Sequence, residues 1–526
     1  MAQDRVVVIG GGIGGLVSAA LLAARGCDVT LVEAQAGPGG KLRAVAVDGE
    51  AVDGGPTVFT MRDVFDAIFA ECGEALDDHL ALTPARTLAR HAWGDARLDL
   101  FADPAASEAA VGEFAGAAEA CGFRAFRAEA RRLFDALDRP FLRAAKADPV
   151  TLGWRMGLRG LPDYLNLRAY TSMWRALGGY FADPRLRQLF GRYATYSGSS
   201  PFAAPATLML IAHVEASGVW LVEGGMHRLA LALETLGRRV GVRFRYAVPV
   251  REILVERGRA AGVTLDTGER LSAASIICNA DPAAIASGAF GPAASRAARS
   301  MPHSRRSLSA LVWTARAKAS GFPLSRHNIF FSGDYRAEFD ALAAGRLADR
   351  PSVYVCAQDR NDAGASGGAA AAGPERLQII VNAPARGDGS PLSPAEIDTC
   401  RQHMLEGVSR AELSLDLEPS TVLTTPHDFA RMCPSTGGAL YGPASHGWAA
   451  SFRRQGSRTA IPGLYCAGGS THPGAGVPMA ALSARLAVAC LLKDRASTLR
   501  STRTAMPGGT STRAAMPKVP MGAPTG

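Results

Sequence analysis

At 526 residues the chain exceeds one ordinary domain, and its 48% apolar content can fill more than one buried core, so two domains are expected. The formal charge of +9 does not mark a nucleic-acid binder: Arg495, Arg500, Arg503, Arg513 and Lys518 follow Asp494 without a further acid, which leaves the rest only mildly basic. Nine scattered cysteines with no CxxC pair fit the reduced thiols of a cytosolic protein.

In chain order, the first element is VVVIGGGIGGLVSAALLAARGCDVTLVEA, an apolar strand, a glycine turn, a helix and a second strand ending on Glu33. Gly10 permits the tight turn, Gly12 lets the backbone approach a diphosphate, and Gly15 lets the helix pack on the strand. Glu33 is placed to accept hydrogen bonds from an adenosine ribose and disfavours a 2′-phosphate, which excludes NADP. NAD and FAD both present an ADP half to such a unit. Glycine is reached by residue 10, too soon for a charged and then apolar leader, so export by that route is not expected.

PGGKLRAVAVDGEAVDGGPTVF (38–59) follows, then a mostly helical block over 91–219. There Tyr170, Met173, Trp174 and Leu177 share one helix face, continued by Phe181. Trp154, Met156, Leu158, Leu161 and Leu165 mix with Arg155, Arg159 and Arg168. Such a segment suits either a core or a bilayer surface. No apolar run reaches about 18 residues, the stretch 205–222 being broken by His213 and Glu215, so no membrane span is expected. Residues 242–280 read as a meander with turns at ERGR and DTGE, ending in a buried strand. Strands at 353–357 and 377–381 flank AGASGGAAAAG (363–373), a surface loop by composition.

IPGLYCAGGSTHPGAGVPMAALSARLAVACLL (461–492) reads as turn, short strand, glycine loop and helix, with Pro478 in the helix's first turn. The amino end of that helix favours the negative charge of a reduced flavin. Two separated glycine motifs bracketing one long ligand select FAD over NAD. The tail 493–526, with STRTAMP and STRAAMP, is expected to be disordered.

The elements at 38–59, SGSSPFAAPATLMLIAHVEASGVWLVEGGM (197–226), CNADP (278–282) and GLYCAGGSTHPGAGVPMAAL (463–482) resemble, in order, those of bacterial carotenoid desaturases, FAD-dependent enzymes of the amine-oxidase-like superfamily. The resemblance spans residues 1 to about 492. GGALYGPASHGWAASFRR (437–454) and SALVWTARAKASGFPLSRHNIFFSGDYRAEFDAL (309–342) are similar to the branch that desaturates hydroxyneurosporene and methoxyneurosporene. It implies an α/β fold: a Rossmann-like FAD-binding domain over 1–90, 220–290 and 455–492, and an α+β substrate domain over 91–219 and 291–454.

It also implies 3,4-desaturation of an acyclic 1-hydroxy or 1-methoxy carotenoid, with hydride passing to flavin. On this reading Gly10, Gly12, Gly15 and Glu33 hold the ADP half, and Gly40 and Lys41 reach ribose or phosphate, where relatives often carry arginine. Gly55, Pro56 and Thr57 line the flavin ring. Gly469, Ser470, Val477, Pro478 and Met479 meet the diphosphate, ribityl chain and ring edge. Val248 or Val250 touches the adenine, or is an ordinary core valine.

No catalytic base is named: His472 and His227 each read either as chemistry or as loop supports. No metal site is expected. The pattern that attaches flavin through cysteine is absent around Cys433, so the flavin is expected to dissociate. An insoluble substrate implies peripheral contact with the cytoplasmic side of an inner, photosynthetic membrane, and oxygen or a quinone as final acceptor. The rivals are other enzymes of the superfamily (phytoene desaturase, carotenoid isomerase, amine or protoporphyrinogen oxidase) and a non-enzymatic lipid carrier of the same fold.

Overall fold

A computed structural model describes residues 5–146, 148–360, 373–417 and 421–504, the final helix from residue 498 on by its backbone alone. A five-stranded parallel sheet runs in the order Leu464–Cys466, Ser275–Cys278, Arg5–Ile9, Asp28–Val32, Arg243–Arg245. Val6 to Ile9 and Ser275 to Cys278 are buried on both faces, as parallel strands covered by two layers must be.

One layer is helical. Every residue of the helix Ile13–Ala23 is buried, since it packs between the helices His227–Arg239 and Val477–Thr504. A helix apolar all round needs such cover. On the other face lies the antiparallel meander Val250–Glu256, Arg259–Leu265 and Arg270–Ser272. There Ile253, Val263 and Leu265 share a core with Val7, Ile9 and Val32.

A second, eight-stranded sheet runs Leu413–Asp416, Ser309–Gly321, Glu375–Ala383, Val353–Ala357, His327–Phe330, Thr87–Trp93, Ala96–Phe101, with Thr421–Thr424 also paired to Ser309–Gly321. The strand Thr87–Trp93 straddles residue 90, so this sheet begins before the boundary read from sequence. Helices from Pro104 to Ala216 build an aromatic core with Phe123, Phe126, Phe181 and Phe190. Asp103, Asp148, Asp183, Asp281, Ser393 and Thr425 each precede a proline and cap a helix through the side chain. Each such cap is worth about 1 kcal/mol.

Two elements differ from the sequence reading. The helix around Trp174 spans only Met173–Leu177, started by a Ser172 cap and ended at Gly178 and Gly179. Met173, Leu177 and Phe181 are core, whereas Tyr170 precedes the helix and is 83% exposed. The last helix does not stop at Leu492 but continues to Thr504: no glycine or proline interrupts 493–504, and Asp494 is fastened to Arg458 and Tyr465. The loop 363–372 and the tail beyond 504 lie outside the described residues.

Beyond the turn Asp138–Leu142 come the short helices Pro149–Met156 and Leu161–Leu165, of whose residues only Leu152 is buried. Trp154 is 83% exposed, Leu158 90% and Leu165 73%. The Tyr170 ring lies tilted against that of the exposed Trp448, with centroids 5.5 Å apart. Among the described residues, no helix is long and apolar enough to cross a membrane.

Because Leu22 is fully buried between helix and sheet, Leu22→Ala is expected to cost about 2–5 kcal/mol. Urea unfolding followed by far-ultraviolet circular dichroism measures it.

Candidate functional site

The parallel sheet fixes the site. Ligands of such sheets bind beyond the carboxyl ends of the strands, where neighbouring connections diverge. Here the strand Arg5–Ile9 has Ser275–Cys278 on one side and Asp28–Val32 on the other, so Gly10, Glu33 and Asn279 leave three adjacent strand ends together. Gly10 turns with φ +95°. A Cβ on Gly15 would strike the Gly10 carbonyl oxygen, so only glycine lets the helix start this close to the strand.

Glu33 is buried and accepts the amides of Gly11 and Gln35, the latter at 2.7 Å. Its carboxylate is thereby aimed across the turn, with lone pairs left for a diol. Gly12 is the N-cap of the helix Ile13–Ala23 and offers no side chain to the first-turn amides, which leaves them for an anion. The Gly39 amide donates to the Gly11 carbonyl at 2.8 Å, and a Cβ on Gly40 would lie 3.2 Å from the Gly12 Cα. Gly10, Gly12, Gly15, Glu33 and Gly40 are thus one cradle.

Asn279 completes it and was not singled out from the sequence. Its Nδ2 lies 3.4 Å from the Gly10 carbonyl. A Cβ on Gly12 would come within 2.8 Å of that nitrogen, and a Cβ on Gly468 within 2.6 Å of its Oδ1. The signal was available: a polar residue ending a fully buried strand, in CNADP.

The loop after Leu464–Cys466 carries Gly469 and Ser470, and Val477, Pro478 and Met479 open the long helix. Arg454, buried, donates to the carbonyls of Tyr441 (3.0 Å), Gly469 (3.2 Å) and Pro443 (2.8 Å). Lys41 is turned onto the carbonyl of Leu440 at 2.7 Å. Val248 donates its amide to the Glu33 carbonyl at 3.0 Å, and Val250 opens the meander strand. Both valines pack against the meander core.

Gly55, Pro56 and Thr57 lie over the large sheet. The Gly55 carbonyl accepts from Gln378 at 3.0 Å, and the Thr57 hydroxyl meets that of Tyr354 at 2.6 Å, which in turn meets His327 Nδ1 at 2.7 Å. Burial, helped by Arg326 and Arg192, pushes the His327 imidazole down to about 3. These polar residues interrupt otherwise apolar strands on one face, a period-2 signal the sequence did carry.

Both histidines of ambiguous role bond backbone carbonyls. His227 Nε2 meets the Pro38 carbonyl at 3.1 Å, holding the Gly39–Gly40 turn. His472 Nε2 meets the carbonyls of Phe141 (2.9 Å) and Ala144 (3.0 Å), tying the glycine loop to the segment that leads to the exposed Trp154. Burial raises the Cys433 thiol above its ordinary value.

These features fit a dinucleotide whose ADP half rests on the first turn. Residues 13–492 match the flavin containing amine oxidoreductases, and the chain belongs to that family. Its cofactor is FAD. Within the family it stands with carotenoid desaturases. It is 52% identical to the hydroxyneurosporene desaturase of Rubrivivax gelatinosus over 98% of each chain. It is 48% identical to the protein of the same name from Cereibacter sphaeroides, over 94% of this chain and 99% of that one. The fold is shared with a solved oxidoreductase from Methanosarcina mazei at TM-score 0.56 and 16% identity, over 93% of this chain and 100% of that one.

Burial is the main force holding His472 down at about 4, with Lys146 and Arg454 adding to it against the two carbonyl bonds. The unfolded chain therefore binds the extra proton between the ordinary 6.5 and about 4. Stability from this group is complete above that window and is lost as pH falls through it, by about 2 kcal/mol from pH 7 to 5. His472→Gln should flatten this dependence in urea midpoints taken at the two pH values.

Proposed function

We propose that the protein is an FAD-dependent 3,4-desaturase of acyclic carotenoids bearing a 1-hydroxyl or 1-methoxy group. The observation that carries the reading is near end-to-end identity of about half with two proteins named hydroxyneurosporene desaturase, and the glycine cradle is intact in this chain. The flavin unit comprises residues 1 to about 86, 220–290 and 455–492, and the substrate unit, which begins with the strand Thr87–Trp93, about 87–219 and 291–454. The complete cradle and Glu33 favour an enzyme over a lipid carrier that has given up its cofactor.

FAD, when bound, supplies the acceptor for a hydride, which no side chain can. The chain's own residues hold and orient. Gly10, Gly12, Gly15 and Glu33 take the ADP half, with Gly40 and Lys41 toward ribose or phosphate and Val250 toward adenine. Gly469, Ser470, Val477, Pro478 and Met479 take the diphosphate, ribityl chain and ring edge. Gly55, Pro56 and Thr57 line the ring, braced from behind by Gln378 and Tyr354. With its imidazole given to the Phe141 and Ala144 carbonyls, His472 serves as a loop support, and His227 likewise through Pro38. Oxygen or a quinone would serve as the final electron acceptor.

A C40 polyene is practically insoluble and must arrive from lipid. The exposed apolar group of Val150, Trp154, Leu158, Leu165, Tyr170 and Trp448 supports peripheral contact with the cytoplasmic surface of the inner, photosynthetic membrane, since monomeric soluble surfaces rarely gather so many large apolar side chains. Replacing Trp154, Leu158 and Leu165 together by serine should abolish flotation with anionic liposomes while leaving the thermal melt in place. Flotation equal to the parent protein refutes this surface.

Expressed cells supplied with 1-hydroxyneurosporene should yield a product lighter by two hydrogens and absorbing at longer wavelength. A site that bonds the 1-oxygen leaves its own polar group unpaired against a bare end, at about 1–3 kcal/mol, so neurosporene should turn over roughly 5- to 150-fold more slowly. Ready conversion of phytoene with 1-hydroxyneurosporene untouched would falsify the assignment of substrate.

A further inference from the structure

The turn that runs through residues 439–443 holds two cations with its carbonyls. Lys41 Nζ takes Leu440 at 2.7 Å and Ala439 at 3.5 Å. The Arg454 guanidinium takes Tyr441, Pro443 and, across the gap, Gly469. The turn leans directly on the second glycine loop, for a Cβ on Gly442 would lie 2.8 Å from the Ser470 Cβ.

Among the described residues, no carboxylate makes a hydrogen bond or ion pair with Arg454. The acid it feels is Asp281, whose Oδ1 is committed to capping the next helix at the Ala283 amide, 2.9 Å away, while its Oδ2 has no partner. Lys146 stands on the same side, acting with Arg454 on His472. Burial draws the Arg454 guanidinium down only to about 10, so it is charged at neutral pH. The glycine loop and the turn leaning on it therefore stand near three cations, Lys41, Lys146 and Arg454, and one carboxylate, Asp281.

A buried charge bonded only to neutral carbonyls is costly unless an anion shares the site. If the task were only to join three carbonyls, a neutral donor would serve with less desolvation. The geometry points to Arg454 as a positioning residue whose charge, delivered through the Gly469 loop and alongside Lys41, balances the dianionic diphosphate of the dinucleotide. This rests on the reading that FAD lies across the two glycine loops. It assigns a role to the end of GGALYGPASHGWAASFRR that the reaction itself does not use.

The test is calorimetric titration of the flavin-free full chain with FAD, ADP and riboflavin, the last carrying ring and ribityl chain without phosphate. Arg454→Gln should weaken FAD and ADP about tenfold and leave riboflavin unchanged, Arg454→Lys should recover most of the loss, and Arg453→Gln, exposed one residue earlier, should match the parent. FAD affinity unchanged in Arg454→Gln overturns the inference, as does riboflavin weakened as much as ADP, which would mean a merely structural brace. If Arg454→Gln does not fold, Arg454→Lys decides: ADP within threefold of the parent supports a charge role, and a tenfold loss overturns it. A parent chain that binds no FAD overturns the underlying reading instead.

Discussion

Everything at the proposed cofactor site depends on one close approach, that of Gly15 to the carbonyl of Gly10. A methyl group there would push the helix Ile13–Ala23 away from the strand end, and the amides of its first turn would no longer point where a diphosphate can use them. The same approach seats the helix between its two helical neighbours, so a local steric fact at one glycine sets both the anion site and the packing of the largest core. Asn279 and Gly468 close in on the opposite side with equally little room. The cradle is a set of backbones brought together by the absence of side chains.

Around that cradle the molecule is braced by polar side chains from distant parts of the chain. Asp53 accepts the Met226 and His227 amides at the start of one flanking helix, and its own amide and carbonyl bond Gln358 of the large sheet at 3.0 Å each. Burial raises the Asp53 carboxyl above its ordinary value even though those two amides pull it down. Residues 53–57 are thus stitched between the two sheets, which keeps Gly55, Pro56 and Thr57 over the eight-stranded sheet.

The first βαβ unit, the meander turns and the strands at Val353–Ala357 and Glu375–Ala383 were legible because period and turn chemistry agree locally. Six caps of the form Asp, Ser or Thr before proline are equally local signals, though they were not singled out from the sequence. What could not be read is of another kind. The short reach of the helix at Met173–Leu177 follows from two glycines that also looked like tolerable interior residues, and the long reach of the last helix follows from Asp494 finding Arg458 and Tyr465. Arg454 and Asn279 gain their meaning only when strands far apart in sequence become neighbours. Lys41 reads as a ligand contact from its place after Gly39 and Gly40, and only the fold shows that it also bonds the Leu440 carbonyl, some four hundred residues away.

The order of strands in the parallel sheet has a consequence for how the protein is made. The strand Leu464–Cys466 joins the parallel sheet through Ser275–Cys278, and the helix that follows it covers the first helix of the chain. During synthesis the amino-terminal strands must wait for more than four hundred residues before their sheet is complete, leaving the Ile13–Ala23 helix with one apolar side open. Such non-local closure is slow and exposes aggregation-prone surface in the interval. The cradle between the two glycine loops is therefore among the last features to mature, complete only once the second loop has emerged.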